Sequence, residues 1–273
     1  MGTVGQTMAL NSNRERPVDE IPTVSVVLTT FNRRALLARA IASVRAQAYA
    51  DSELLVIDDG STDGTAEDVI KLIHEDPRIR YLHWANQGLA PARNWGIQLA
   101  RGAFITFLDS DDEYTRDHLG RRVAQFAMNP TLDFLHGGYQ VIGPEGSDMV
   151  PDMRDPTKLI PLSECVVGGT FFGKAETFRS VGGFRPIFGT DNDLFQRIRA
   201  RGFLIDEIRA PSYLYHRDTP DSMCDHARVN PVSVEAAPPG ENGEEERSLA
   251  ENLEISFEEF HDVPRLSHGG GGL

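Results

Sequence analysis

Apolar and polar positions along the first half of the chain alternate between two rhythms. Residues 24–30 (VSVVLTT), 53–57 (ELLVI), 79–83 (IRYLH) and 103–108 (AFITFL) are short runs dominated by β-branched and other apolar residues. Runs of that length and character predict strands, and 103–108, almost free of charge, reads as one buried on both faces of a sheet. Between the first two runs, Leu37, Ala40, Ile41 and Val44 recur at i, i+3, i+4 and i+7. That period puts them on one face of a helix over residues 34–48. Residues 65–74 and 90–100 predict two more helices, the first stopped before Pro77 and the second by Arg101-Gly102. Strands alternating with helices at this spacing predict an α/β fold, a Rossmann-like, mainly parallel sheet with helices on both faces.

Beyond residue 112 the alternation weakens. A helix is predicted over 115–128 and a strand over 133–142. Residues 143–161, rich in Pro and Asp, read as a lid or a substrate-facing loop because they are too long for a simple connection. Residues 166–173 (VVGGTFFG) look strand-like, with a glycine pair where a backbone can approach a ligand closely. A short helix over 174–181 and a helix over 194–201, capped by 190–193 and closed by Gly202, precede extended segments at 203–208 and 212–215. Residues 1–22 are polar and aperiodic, which predicts a flexible arm. From residue 229 acidic side chains dominate, predicting a partly disordered tail over 229–273 in which 248–260 can form a docking helix.

Composition narrows the function. The chain has 273 residues, 40% hydrophobic and 25% charged, enough for a full core. A formal net charge of -14 argues against non-specific binding to nucleic acid or to an anionic membrane. An anionic substrate would then need a metal ion or local basic residues. Cys165 and Cys224 form no CxxC and no zinc-spaced cluster, so free buried thiols are expected. With no signal-like apolar stretch and no run long enough to span a membrane, a soluble cytoplasmic protein is expected.

The candidate chemistry sits at the ends of the predicted strands. Thr29, Thr30, Phe31 and Asn32 follow the first run, Asp58 and Asp59 the second, and Asp109, Ser110, Asp111 and Asp112 the fourth. In parallel sheets ligands bind outside the carboxyl ends of the strands. Three carboxylates crowded there repel one another unless a cation or ligand donors join them, and a hard divalent ion suits oxygen ligands. Taken alone, DSDD reads equally well as a turn capping the next helix. Three polar strand ends on one edge favour a binding cleft.

The series VSVVLTTFNR, LLVIDDGSTDGT, NQGLAPARNWGIQLARGAFITFLDSDD and VGGFRPIFGTDNDLFQRIRARG resembles the family 2 glycosyltransferases over residues 24–222. The resemblance implies a GT-A fold, with a nucleotide-sugar-binding half over 23–114 and a smaller acceptor-binding subregion over 115–228. It implies metal-assisted, inverting transfer from a nucleoside diphosphate sugar, UDP being the expected nucleotide, to an acceptor hydroxyl. The acceptor stays open among saccharide, lipid-linked saccharide, peptide and small molecule. Thr29 and Phe31 match positions holding the nucleobase, Asp59 the carboxylate accepting from its imide N–H, and Arg93 and Asn94 the phosphate side. Asp109 to Asp112 look like the DxD-type motif, with Asp111 against ribose or sugar and Asp112 the foremost ligand for Mn²⁺ or Mg²⁺. Asp191 matches the base, with Asp193 as runner-up. Two departures stand out. Thr190 replaces the usual Glu, and Thr219 fills a slot where relatives carry a His, which leaves His216 or His226 as the metal-contacting imidazole. A nucleotide-sugar-binding module without transferase activity is the alternative, and a nucleotidyltransferase ranks behind it because residues 29–34 lack a phosphate-loop glycine.

Overall fold

The computed structural model describes residues 21–155 and 157–219. The expectations for the N-terminal arm over residues 1–20, Cys224, His226, the acidic tail and its docking helix lie outside the described residues.

The first half follows the predicted alternation: β1 (Val24–Thr30), α1 (Arg34–Arg45), β2 (Ser52–Asp58), α2 (Thr65–Glu75), β3 (Ile79–His83), α3 (Leu89–Leu99) and β4 (Phe104–Asp109). All residues of β1 and β2 are buried, as continuous apolar runs require. Successive side chains still serve opposite faces. Val24, Val26 and Leu28 of β1 join Leu54 and Val56 against α1, α2 and α4 (His118–Met128), while Val27, Leu55 and Ile57 pack against α3, α5 (Ala175–Ser180) and α6 (Thr190–Ala200). α3 lies especially close to β1. A Cβ at Gly96 would overlap the Val27 side chain, so a poor helix former sits mid-helix because only glycine fits there.

The remaining strands are β5 (Glu113–Tyr114), β6 (Phe134–His136), β7 (Tyr139–Ile142), β8 (Met149–Pro151), β9 (Leu159–Pro161), β10 (Phe172–Lys174), β11 (Ile205–Glu207) and β12 (Tyr213–His216). The large sheet has the order β11-β6-β10-β4-β1-β2-β3. Only β10 runs against its neighbours, which makes the sheet mainly parallel with helices on both faces. A small sheet, β5-β12-β7, pairs the strand leaving the Asp109–Asp112 turn with the penultimate stretch of the described chain.

Several second-half expectations are corrected. The strand predicted over 133–142 is broken by Gly137 and Gly138, both at positive φ, so that β6 lies in the large sheet and β7 in the small one. Residues 143–161 are not a bare loop but contain the β8–β9 hairpin, seated through Val150 and Leu162 against Val167. Residues 166–173 form a 3-10 turn at Gly168–Thr170 before β10 rather than one strand. α6 begins at Thr190, after Gly189 in the left-handed region, so Asp191 and Asp193 lie inside its first turn and do not cap it. Cys165 carries a half-buried thiol rather than a fully buried one. Among the described residues no helix is long and apolar enough to cross a membrane.

Candidate functional site

Strand register places the polar strand ends side by side. Thr30 pairs with Asp58 and Thr29 with Asp109, so β1 sits between two carboxylate-bearing ends. Thr29 and Thr30 are buried, and the Thr30 hydroxyl has no hydrogen-bond partner. An orphaned polar atom on a ligand-binding edge invites a ligand or water. The Phe31 ring stands 45% exposed beside it.

Asn32 adopts φ 50°, and its side-chain oxygen accepts from Thr62 N–H (2.8 Å) while its own N–H donates to Ser61 Oγ (2.8 Å). The loops leaving β1 and β2 are thereby stitched together. Asp58 is fully buried and accepts from Ser61 N–H (2.8 Å) and the Tyr81 hydroxyl (2.6 Å). Burial, then that carboxylate, pushes the Tyr81 pKa up. Asp59 accepts from Gln87 N–H (2.8 Å) and Gly88 N–H (2.7 Å), which fixes the entrance to α3. Each carboxylate oxygen has a second lone pair, so this does not exhaust its accepting capacity.

The Asp109–Asp112 turn separates its carboxylates by environment. Asp109 Oδ1 accepts from Arg93 Nη2 (2.8 Å), and Ser110 is buried within the turn. Asp111 keeps a side chain 20% exposed, 3.8 Å from Arg33. Burial, then neighbouring Asp109, raises its pKa. Asp112 points inward with no exposure: Oδ2 accepts from the Tyr213 hydroxyl (2.5 Å) and Oδ1 from His216 N–H (2.7 Å). Burial first, then Asp109 and Asp111, drives its pKa well above the usual carboxylate range. The His216 imidazole sits between Glu113 Oε1 (2.8 Å from Nε2) and Asp218 Oδ1 (3.1 Å from Nδ1). Of the three expected metal ligands, Asp111 keeps the open carboxylate, while Asp112 and His216 are engaged by protein partners. Among the described residues no three His, Cys, Asp or Glu side chains converge as a metal cage. A divalent ion fits here only with one or two protein oxygens, Asp111 foremost, the remainder coming from phosphate and water.

Asp191, on α6, reaches the same turn through Arg93. That guanidinium is 2% exposed, donating from Nη1 to Asp191 Oδ1 (2.7 Å) and from Nη2 to Asp109 Oδ1, with Phe184 beneath it at 5.0 Å. Burial would lower the Arg93 pKa, but the two carboxylates more than offset it. Asp191 Oδ2 accepts from Gly168 N–H (2.9 Å), leaving the side chain 29% exposed. Burial raises its pKa and Arg93 opposes the rise. Asp193 instead pairs with Arg197 (2.7 Å) and sits apart from this bridge. Asn94 spans the Phe184 backbone, donating to its carbonyl (2.8 Å) and accepting from its N–H (2.7 Å).

Gly168, Phe184 and Tyr213 were not legible as site residues. The Gly168-Gly169 pair gave the one usable signal, with a different occupant from the one expected. A Cβ at Gly168 would overlap the Asp191 carboxylate and one at Gly169 the Tyr213 hydroxyl, so the pair makes room for side chains rather than for a ligand.

A family model described as "Glycosyl transferase family 2" matches residues 25–185. An uncharacterized glycosyltransferase of Haemophilus influenzae is 37% identical over 130 residues, 47% of this chain and 52% of the relative. The chain spans between 20% and 52% of the length of the first curated relatives it matches. Among solved structures, S. aureus TarS 1-349 in complex with UDP-GlcNAc superposes with TM-score 0.61 at 18% identity, covering 75% of this chain and 61% of the TarS 1-349 chain. The mannosyltransferase PcManGT of Pyrobaculum calidifontis, in complex with GDP-Man and Mn²⁺, gives TM-score 0.61 at 20% identity over 78% of this chain and 61% of its own. At these identities the two structures establish a shared fold.

Proposed function

Because the chain belongs to glycosyl transferase family 2, we propose that it moves a sugar from a nucleoside diphosphate donor, a UDP-sugar, to an acceptor hydroxyl with inversion at the anomeric carbon. The observation that carries this reading is the Asp109–Arg93–Asp191 bridge, which joins the carboxylate turn on the donor side to a part-exposed carboxylate on α6.

In this reading Phe31 and Asp59 hold the nucleobase, Phe31 through its exposed ring and Asp59 by accepting from the uracil imide N–H. Thr29 and the orphaned Thr30 hydroxyl line the edge beneath the nucleotide. Asp109, held by Arg93, belongs to the donor side of the site. Asp111 would hold Mn²⁺ or Mg²⁺, which when bound supplies charge neutralisation for the departing diphosphate. Asp112 and Asp58 act behind this surface, shaping the turns that carry Asp111 and Asp59.

The transfer itself falls to Asp191. The acceptor oxygen attacks the anomeric carbon on the face opposite the diphosphate while its proton passes to an Asp191 oxygen. The bond from that carbon to the diphosphate oxygen breaks, and the electron pair leaves with the nucleoside diphosphate. Thr190, in the place of the more usual Glu, leaves Asp191 as the carboxylate on this side that meets Arg93.

Asp191→Asn keeps the shape and removes the base. Product formation should fall by about 10²-fold or more, a loss of the size general bases supply, while UDP still binds in the presence of Mn²⁺. Undiminished transfer by Asp191→Asn, assayed as UDP release from a panel of UDP-hexoses with saccharide acceptors, would remove Asp191 from the mechanism. UDP binding with no release from any donor would favour a binding module.

A further inference from the structure

Arg93 and Asn94 are neighbours on α3, and both direct their polar groups into the protein, toward the segment that delivers Asp191. Asn94 spends its amide oxygen and nitrogen on the two backbone groups of Phe184, and a Cβ at Gly183 (φ +66°) would overlap that amide oxygen. Arg93 stacks over the Phe184 ring at 5.0 Å and reaches Asp191 and Asp109 with its two terminal nitrogens. α3 itself is pinned, because Gly96 lies against Val27 with no room for a Cβ. The Arg93 side chain is buried at 2% exposure and both its terminal nitrogens are engaged by carboxylates, so it offers a donor phosphate almost no accessible surface.

We infer that Arg93 and Asn94 are positioning residues for the acceptor-side carboxylate: Asn94 fixes the Phe184 backbone, and Arg93 aligns Asp191 with the Asp109 turn. The inference rests on the reading of Asp191 as the base. An Asp on the first turn of a helix has two side-chain torsions to settle. Here Arg93 fixes one carboxylate oxygen and Gly168 N–H the other, leaving a lone pair on each for an incoming hydroxyl. Orientation of this kind is worth a large factor in rate, because misplacement by an ångström can cost about 10²-fold. The guanidinium also opposes the effect of burial on the Asp191 carboxyl, favouring the ionised form that a base requires.

The test is a double-mutant cycle with UDP and Mn²⁺ as the binding probe and UDP release from UDP-hexoses with saccharide acceptors as the rate. Arg93→Gln should lower kcat by about 10²-fold and leave the calorimetric affinity for UDP with Mn²⁺ unchanged. In the Asp191→Asn background the same substitution should add no further loss, because residues acting through one group are not additive. Asn94→Ala, which keeps the buried charges intact, should reproduce the kcat loss in milder form and covers the case in which Arg93→Gln folds poorly. A drop in UDP affinity with kcat retained would make Arg93 a phosphate ligand and overturn the inference. Normal turnover in both Arg93→Gln and Asn94→Ala, with Asp191→Asn inactive, would overturn it while leaving the proposed function standing. Full activity of Asp191→Asn, or no UDP release by the wild-type chain, would instead strike the underlying reading.

Discussion

Asp111 and Asp112 are adjacent, chemically identical and oppositely placed. Their spacing identifies the turn but not which carboxylate opens outward, because that depends on turn dihedrals and on partners contributed about a hundred residues later. Tyr213 and His216 capture Asp112 from β12. The same holds at the second strand end, where Asp58 turns in to Tyr81 and Asp59 braces Gln87 and Gly88. The two members of the turn should therefore fail differently. Asp111→Asn should weaken Mn²⁺ binding, followed by electron paramagnetic resonance, about tenfold or more and leave the unfolding midpoint nearly unchanged. Asp112→Ala strands a buried hydroxyl and a buried N–H, each costing about 1–3 kcal/mol, and should lower the midpoint by several degrees. A stable Asp112→Ala protein with lost metal binding would return the ligand role to Asp112.

At the scale of elements, the strands and helices up to β4 were legible because each has one rhythm and one environment. Legibility fails where neighbouring residues serve different sheets. Gly137 and Gly138 divide an apparently continuous strand between the large and the small sheet, and the β8–β9 hairpin is too short to set up a period. α4 was foreseen, but its buried polar face was not. His118 stacks on Tyr114 at 3.6 Å, donates from Nδ1 to the Ser212 carbonyl (3.0 Å), and lies beside the buried Arg122. Burial, then Arg122, holds its pKa well below the ordinary 6.5. Below that value the unfolded chain binds a proton that the folded chain excludes, so stability rises with pH in this window and declines as pH falls. Lowering the pH below 6.5 should therefore cost stability through this residue, with a limiting slope of about 1.4 kcal/mol per pH unit. Urea titrations between pH 5 and 7 should give a flatter dependence for His118→Phe than for the wild type, whatever the offset between them. Parallel curves would assign the acid sensitivity elsewhere.

For the molecule as a whole, the net charge of -14 sets the terms on which an anionic donor is met. The sheet edge concentrates that charge in Asp109, Asp111 and Asp191, while the nearest buried cation, Arg93, is already committed to two of them. A diphosphate arriving alone adds like charge to a carboxylate turn in which Asp111 and Asp112 already have raised pKa values. A divalent ion reverses the sign of that encounter, so UDP and Mn²⁺ should bind cooperatively and either alone weakly. A ligand pair that binds only the folded chain at about 100 times its dissociation constant adds roughly 2.7 kcal/mol of stability. For a folded unit of this size that corresponds to a rise in Tm of about 5–10 °C, followed by scanning fluorimetry or calorimetry. UDP without metal should move Tm only slightly, and EDTA should erase the shift produced by the pair. An equal shift from UDP in EDTA would mean that the basic side chains of this edge neutralise the diphosphate unaided, and Asp111 would then have no ion to hold.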